Sequence, residues 1–175
     1  MGYTTKFEGS FKLNMQLDES TIKLLKGIYT TRRMKRDINK LSEKFRISKQ
    51  LAELKYGIDG EFYYNEEDFP NFGQNDNDET IIDYNKPPGE QPNLWCQWKY
   101  FEDHNIIAWD GDEKFYNYVE WIEYIIKHIL SPRKYKLNGE VKWIGEESDD
   151  RGTIIINKND VMVIQYVKKI LKKQN

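Results

Sequence analysis

The stretch YTTKFEGSFKL, residues 3–13, alternates without a break. Tyr3, Thr5, Phe7, Gly9, Phe11 and Leu13 share one side of an extended chain, and Thr4, Lys6, Glu8, Ser10 and Lys12 share the other. A two-residue period with one polar side predicts a strand buried on one face only. A sheet built from such strands must place its helices on the dry face.

The same alternation returns late in the chain. YKLNGEVKWIG, residues 135–145, carries Leu137, Gly139, Val141 and Trp143 on one side, and GTIIINKNDVMVIQYV, residues 152–167, reads as two strands around the turn residues Asn157 to Asp160. EDHN at 102–105 turns a strand that starts near Leu94 into IIAWD, which gives a further antiparallel pair. GEFYY, residues 60–64, reads as a short strand.

Helices are marked by a different period. Asp18 stands at an N-cap position before Ile22, Leu24, Leu25, Ile28 and Tyr29, so a helix is expected from there to at least Thr30. DEKFYNYVEWIEYIIKHIL, residues 112–130, aligns Phe115, Val119, Ile122, Ile126 and Ile129 on one stripe, and Pro132 ends it. Asp110 or Asp112 is the expected N-cap. Leu41, Phe45, Leu51 and Leu54 allow one or two helical pieces between Ile38 and Gly57. Residues 65–79 read as a polar loop, residues 81–93 as an extended connection stiffened by Pro87, Pro88 and Pro92, and KKILKKQN, 168–175, as a basic end. The expectation is one α+β domain over 1–175, an antiparallel or mixed sheet of about five to six strands with about two or three helices on one face.

Composition limits the partners. With 27 basic against 29 acidic residues, net charge −2, no global field draws the chain to a long nucleic acid. An aromatic content of 14% marks a chain that folds. No apolar run approaches the roughly 20 residues that span a bilayer, no secretory leader pattern is visible, and the single cysteine, Cys96, excludes an intrachain disulfide. The cytoplasm is the expected compartment, without a membrane partner.

Several blocks together resemble a family of small phage and bacterial proteins of no assigned activity. They are YTTKFEGSF at 3–11, TRRMKRD at 31–37, DYNKPPGEQPNLWCQW at 83–98, WDGDEKFYNYVEWIEYII at 109–126 and LNGEVKWIGEESDDRG at 137–152. The resemblance covers most of the chain outside 38–82 and implies, by association, a host-facing or immune-evading role in a bacterial cytoplasm.

Standard catalytic signatures are missing: there is no phosphate-cradling G-x-x-x-x-G-K-[ST], no G-x-S-x-G elbow, no H-E-x-x-H and no paired C-x-x-C. His104 and His128 are expected to be structural, Cys96 to pack as a small apolar residue, and no cofactor or metal is expected. The acidic turns DGDE (Asp110, Asp112, Glu113) and EESDD (Glu146, Glu147, Asp149, Asp150) lack calcium-loop spacing.

TTRRMKRD, residues 30–37, concentrates four cations. If the first helix runs on, Arg32, Arg33, Lys35 and Arg36 lie within an arc of about 160° that prolongs the inward stripe. Two uses remain open: neutralisation by the helix dipole and internal acids, or a ligand anion held by guanidiniums at the edge of the core. Trp121 and Tyr124 on the long helix, with Trp98 and Trp109 on strands, are candidates for an aromatic wall beside it. The leading expectation is a non-enzymatic binding protein for an anionic nucleotide-like molecule, using these eight residues. Its alternatives are an interaction protein that inhibits a host protein, and a metal-dependent hydrolase using Glu113, Asp149 or Asp150.

Overall fold

The structure, a computed structural model, describes residues 2–65 and 78–167. The expected surface loop falls almost wholly outside those residues, as does the basic C-terminal end. In chain order the elements are β1 (Lys6–Leu13), α1 (Glu19–Thr30), β2 (Lys35–Arg36), α2 (Ile38–Phe45), α3 (Lys49–Tyr56), β3 (Ile81–Asp83), β4 (Trp98–Phe101), β5 (Ile106–Trp109), α4 (Tyr118–Ile125), β6 (Leu137–Ile144), β7 (Arg151–Asn157) and β8 (Asp160–Gln165). Six strands form one antiparallel sheet in the order β4-β5-β1-β6-β7-β8, and β2 pairs with β3 apart from it. This is an α+β fold, with one more helix than the upper expectation.

The opening alternation lies inside this sheet. β1 pairs over its whole length with β6, Phe7 opposite Trp143 and Phe11 opposite Gly139. Gly9 and Gly139 both have positive φ, at 111° and 137°, and a Cβ on either would collide with the facing backbone. Glycine at these two places lets the pair close up. Phe11, Leu13, Leu137, Val141, Trp143, Ile154 and Ile156 are buried on one side of the sheet, against Leu24, Leu25 and Ile28 of α1 and Trp121, Ile122 and Ile125 of α4. Burying each large apolar side chain contributes roughly 1.5–3 kcal/mol, so this layer carries most of the stability.

Asp18 caps α1 as expected, Oδ1 accepting from Thr21 N at 2.9 Å, and its other oxygen accepts from Tyr135 OH at 2.8 Å. The helix does not continue into the basic cluster. Thr31 is extended (φ −120°), and its hydroxyl donates to Gly27 O, the acceptor that the next helical N–H would have used, while Thr30 Oγ1 donates to Lys26 O. The angular reading of the four cations therefore fails: Arg33, Met34 and Arg36 are buried, while Arg32 and Lys35 stay partly exposed.

The remaining differences have local causes. Residues 60–64 form a turn rather than a strand, because the Glu61 and Tyr63 carbonyls accept from a side chain, Arg33. Residues 94–97 lie outside the ladder, which the chain enters only at Trp98. Asp37 and Ser48 supply the caps of α2 and α3. α4 starts late, at the left-handed Asn117 and not at Asp110 or Asp112, and after Ile125 it widens into a π turn (126–130) and a tight turn containing Pro132. α2 and α3 enclose a smaller core of Leu41, Ala52, Tyr56 and Tyr63. Among the described residues, no helix is long and apolar enough to cross a membrane.

Candidate functional site

The cations of TTRRMKRD meet groups of their own chain. Arg33 is 2% exposed. It donates from Nε to Gln91 Oε1 (3.0 Å), from Nη1 to Thr31 Oγ1 (2.7 Å) and from Nη2 to the carbonyls of Glu61 and Tyr63 (2.9 Å each). Burial lowers its guanidinium to about 10, still cationic at neutral pH. Gln91 also donates to Glu61 O, and the Glu61 carboxylate accepts from Tyr124 OH at 2.7 Å, which together with burial pushes that phenol upward. This buried knot ties the α2–α3 lobe to α4.

Arg36, 5% exposed, pairs with Asp78 at 2.6 Å, donates to Thr80 Oγ1 at 2.7 Å and stacks 4.7 Å over the Tyr63 ring. Burial alone would raise the Asp78 carboxyl, but hydrogen bonds from Thr80 and the Arg36 charge outweigh it and hold the group below its usual range. Arg32 lies 4.1 Å over the Tyr84 ring and donates to Tyr84 O, while Lys35 pairs with Asp59 at 3.4 Å. The acids that neutralise the cluster are thus Asp78 and Asp59. Asp150 is engaged elsewhere, by Tyr3 OH at 2.6 Å and Trp143 Nε1 at 3.0 Å.

The expected aromatic wall also turns inward. Trp121 is fully buried, Trp98 and Tyr124 nearly so, and His128 stacks on Tyr124 at 4.6 Å while meeting Glu90 at 2.8 Å. Arg33 and Arg36 present no accessible donor beside them, so these residues are parts of the core and not faces of an open site. Trp109 is half-buried at the end of β5. Among the described residues, no three His, Cys, Asp or Glu side chains are grouped to hold a metal.

Open space of about 410 Å³ lies elsewhere, between the end of α1, the 93–97 segment and the turn after β5. Tyr29, Trp95 and Tyr116 supply aromatic surface, Asp110, Asp112 and Glu113 acidic groups, and Cys96 part of the lining. Trp109 fixes its frame, because Nε1 donates to both Gln97 Oε1 and Asp112 O at 3.0 Å, and Gln97 Nε2 donates to Glu113 O at 2.8 Å. The acidic turn is tightened by Asp112 N donating to Asp110 Oδ1 at 2.8 Å, with Gly111 at φ 93°. Desolvation, reinforced by the Asp112 charge, raises the Asp110 carboxyl to about 6. Burial pushes the Cys96 thiol up to about 12, which removes it as a nucleophile at neutral pH.

A second cavity, about 310 Å³, shares Tyr29 and Thr30 with the first and is also lined by Lys26, Lys99 and Glu102. Lys99 Nζ stands 5.6 Å from the Tyr29 ring centroid. One tyrosine therefore separates a recess in which acids outnumber Lys114 from one in which lysines outnumber Glu102. The sequence carried a signal for part of this arrangement: if Leu94, Cys96 and Trp98 alternate inward, Trp95 and Gln97 must face the other way. It held none for the approach of Tyr29, since the helix end and the 93–97 segment are far apart in the chain.

Comparison of the chain with family models, curated proteins and solved structures found no match, so the site is read from its own chemistry.

Proposed function

We propose that the protein is a non-enzymatic binding protein for a nucleotide-like small molecule, held in the cleft beside Trp95 and not by the arginine cluster. The carrying observation is the pair of adjoining cavities with aromatic walls and opposite charge. A planar heterocycle stacks on Trp95 or Tyr29, its N–H donors meet the Asp110 carboxylate, and its anionic end lies across Tyr29 towards Lys26 and Lys99. A volume of about 410 Å³ falls in the range of small-molecule pockets. The resemblance to phage proteins supports sequestration of a host signalling nucleotide as the biological use, in the cytoplasm of a bacterial host.

Calorimetry against linear and cyclic nucleotides tests the reading. Binding by the wild type, weakened at least about fivefold by both Trp95→Ala and Asp110→Asn, is the expected result, since stacking on one ring is worth about 1–3 kcal/mol. No binding across the panel, or binding indifferent to both substitutions, contradicts it.

A second reading, an interaction protein that inhibits a host protein, is favoured by Leu51, Leu54 and Ile58, which stay exposed at helical spacing on and just after α3, Leu54 at 82%. Capture of a host protein that Leu54→Lys abolishes is its test.

A further inference from the structure

Asp110 differs from the other acids of the cleft. Asp112 and Glu113 are exposed, whereas Asp110 is half-buried directly after β5, where its N–H donates to Gln97 O at 3.2 Å. Its Oδ1 accepts from Asp112 N at 2.8 Å, and Oδ2 has no hydrogen-bond partner among the described residues. A carboxylate that has lost part of its hydration without a full set of donors gains from donors that a ligand brings.

The neighbouring polar groups of the cleft are already engaged. Asn93 donates from Nδ2 to Asn117 Oδ1 at 2.9 Å and accepts at Oδ1 from Leu94 N at 2.7 Å. Gln97 uses Oε1 on Trp109 and Nε2 on Glu113, and Thr30 gives its hydroxyl proton to Lys26 O at 2.6 Å. Amides are the side chains suited to an edge that mixes donors and acceptors, and both are held by the frame. What remains beside the Trp95 and Tyr29 rings is a carboxylate, an acceptor at both oxygens.

We infer that the cleft selects guanine, whose N1–H and 2-amino group donate to the Asp110 carboxylate. The inference rests on the cleft being a nucleotide site and adds the identity of the base. Two parallel N–H donors match two carboxylate oxygens, the same charge-assisted fork that arginine makes with a carboxylate. Guanine alone among the four common bases of RNA has two adjacent donors on its pairing edge. Adenine and cytosine set one amino group beside a ring-nitrogen lone pair, and uracil sets one N–H between two carbonyls. Each of those turns a lone pair towards the carboxylate. Lys114 and the hydroxyls of Tyr29 and Tyr116 also line the cavity and are the donors available to the guanine O6.

Calorimetry of the wild-type chain with the 5′-monophosphates of guanosine, inosine, adenosine and uridine tests it. Guanosine monophosphate is expected to bind at least about fivefold more tightly than each of the others. Inosine monophosphate is the sharpest comparison, because it lacks only the 2-amino group. Asp110→Asn puts an amide N–H in place of one oxygen. That variant binds guanosine and inosine monophosphates equally and prefers xanthosine monophosphate, whose C2 carbonyl accepts the new N–H. The wild-type series decides by itself if the variant does not fold. Equal affinity across the series, a preference for another base, or a guanine preference that survives Asp110→Asn overturns the inference while leaving the cleft a nucleotide site. Binding of none of the four overturns both.

Discussion

The Arg33 knot and the Trp95 cleft are built from the same materials, a few charges among aromatic rings, and they do opposite things. In the knot, four guanidinium donors meet four acceptors of the chain within 3.0 Å, and a carboxylate and a phenol complete the set. In the cleft, aromatic faces and acidic groups border about 410 Å³ of open space. Concentrated charge in a sequence marks a place where charge matters. Whether it matters to the fold or to a visitor depends on how much of it the chain itself satisfies.

Breaking the knot gives the largest expected effect. Arg33→Met leaves the Tyr63 carbonyl and the Gln91 amide oxygen without a buried donor, at about 1–3 kcal/mol each, while Glu61 O keeps the Gln91 amide, so urea unfolding registers a loss of at least about 2 kcal/mol. Nucleotide affinity, measured where the variant is still folded, stays at the wild-type value. Trp95→Ala reverses the pattern: affinity falls by about 1–3 kcal/mol while the unfolding midpoint hardly moves, because Trp95 is only partly buried.

Acid titration sharpens the comparison, because two carboxyls move in opposite directions. Asp18 is held well below its usual range by hydrogen bonds from Ser20, Thr21 and Tyr135, so its contribution to stability is present above about pH 4 and lost as pH falls further. Asp110 is raised to about 6, so between about pH 4 and 6 the native state holds its proton more tightly than the unfolded chain, and stability falls as pH rises through that window. Asp110→Asn removes that fall, on the order of 1 kcal/mol after solvent screening, in unfolding curves from pH 4 to 7. In the wild type, nucleotide binding weakens below pH 6 as the carboxylate is lost. The smallest effect is kinetic: Cys96, with its thiol near 12, resists thiol reagents in the folded state and reacts fully in denaturant, as labelling followed by mass measurement reports.

The sheet was legible because period two needs only neighbouring residues, as β1, β6, β7 and β8 show. The helical pieces after Ile38 showed no strong cap in the sequence, and it is the structure that assigns Asp37 and Ser48 to their starts. β2 and β3 were hidden, since their pairing joins two very short segments more than forty residues apart. The site was less legible for the same reason. Arg36 sits in the short β2 and Arg33 in the irregular segment before it, not in a helix, and their partners Gln91, Asp78 and Thr80 come from distant positions. Tyr29 and Asp110 become neighbours only after α1 docks on the sheet.

The most direct test of the division between knot and cleft is a parallel titration of Trp95→Ala and Arg33→Met with a nucleotide that the wild type binds, each variant first shown to be folded by circular dichroism. The expected result is a Trp95 variant of wild-type stability that binds at least about fivefold more weakly and an Arg33 variant of reduced stability that binds with wild-type affinity. Binding retained without Trp95 and lost without Arg33 would contradict the account.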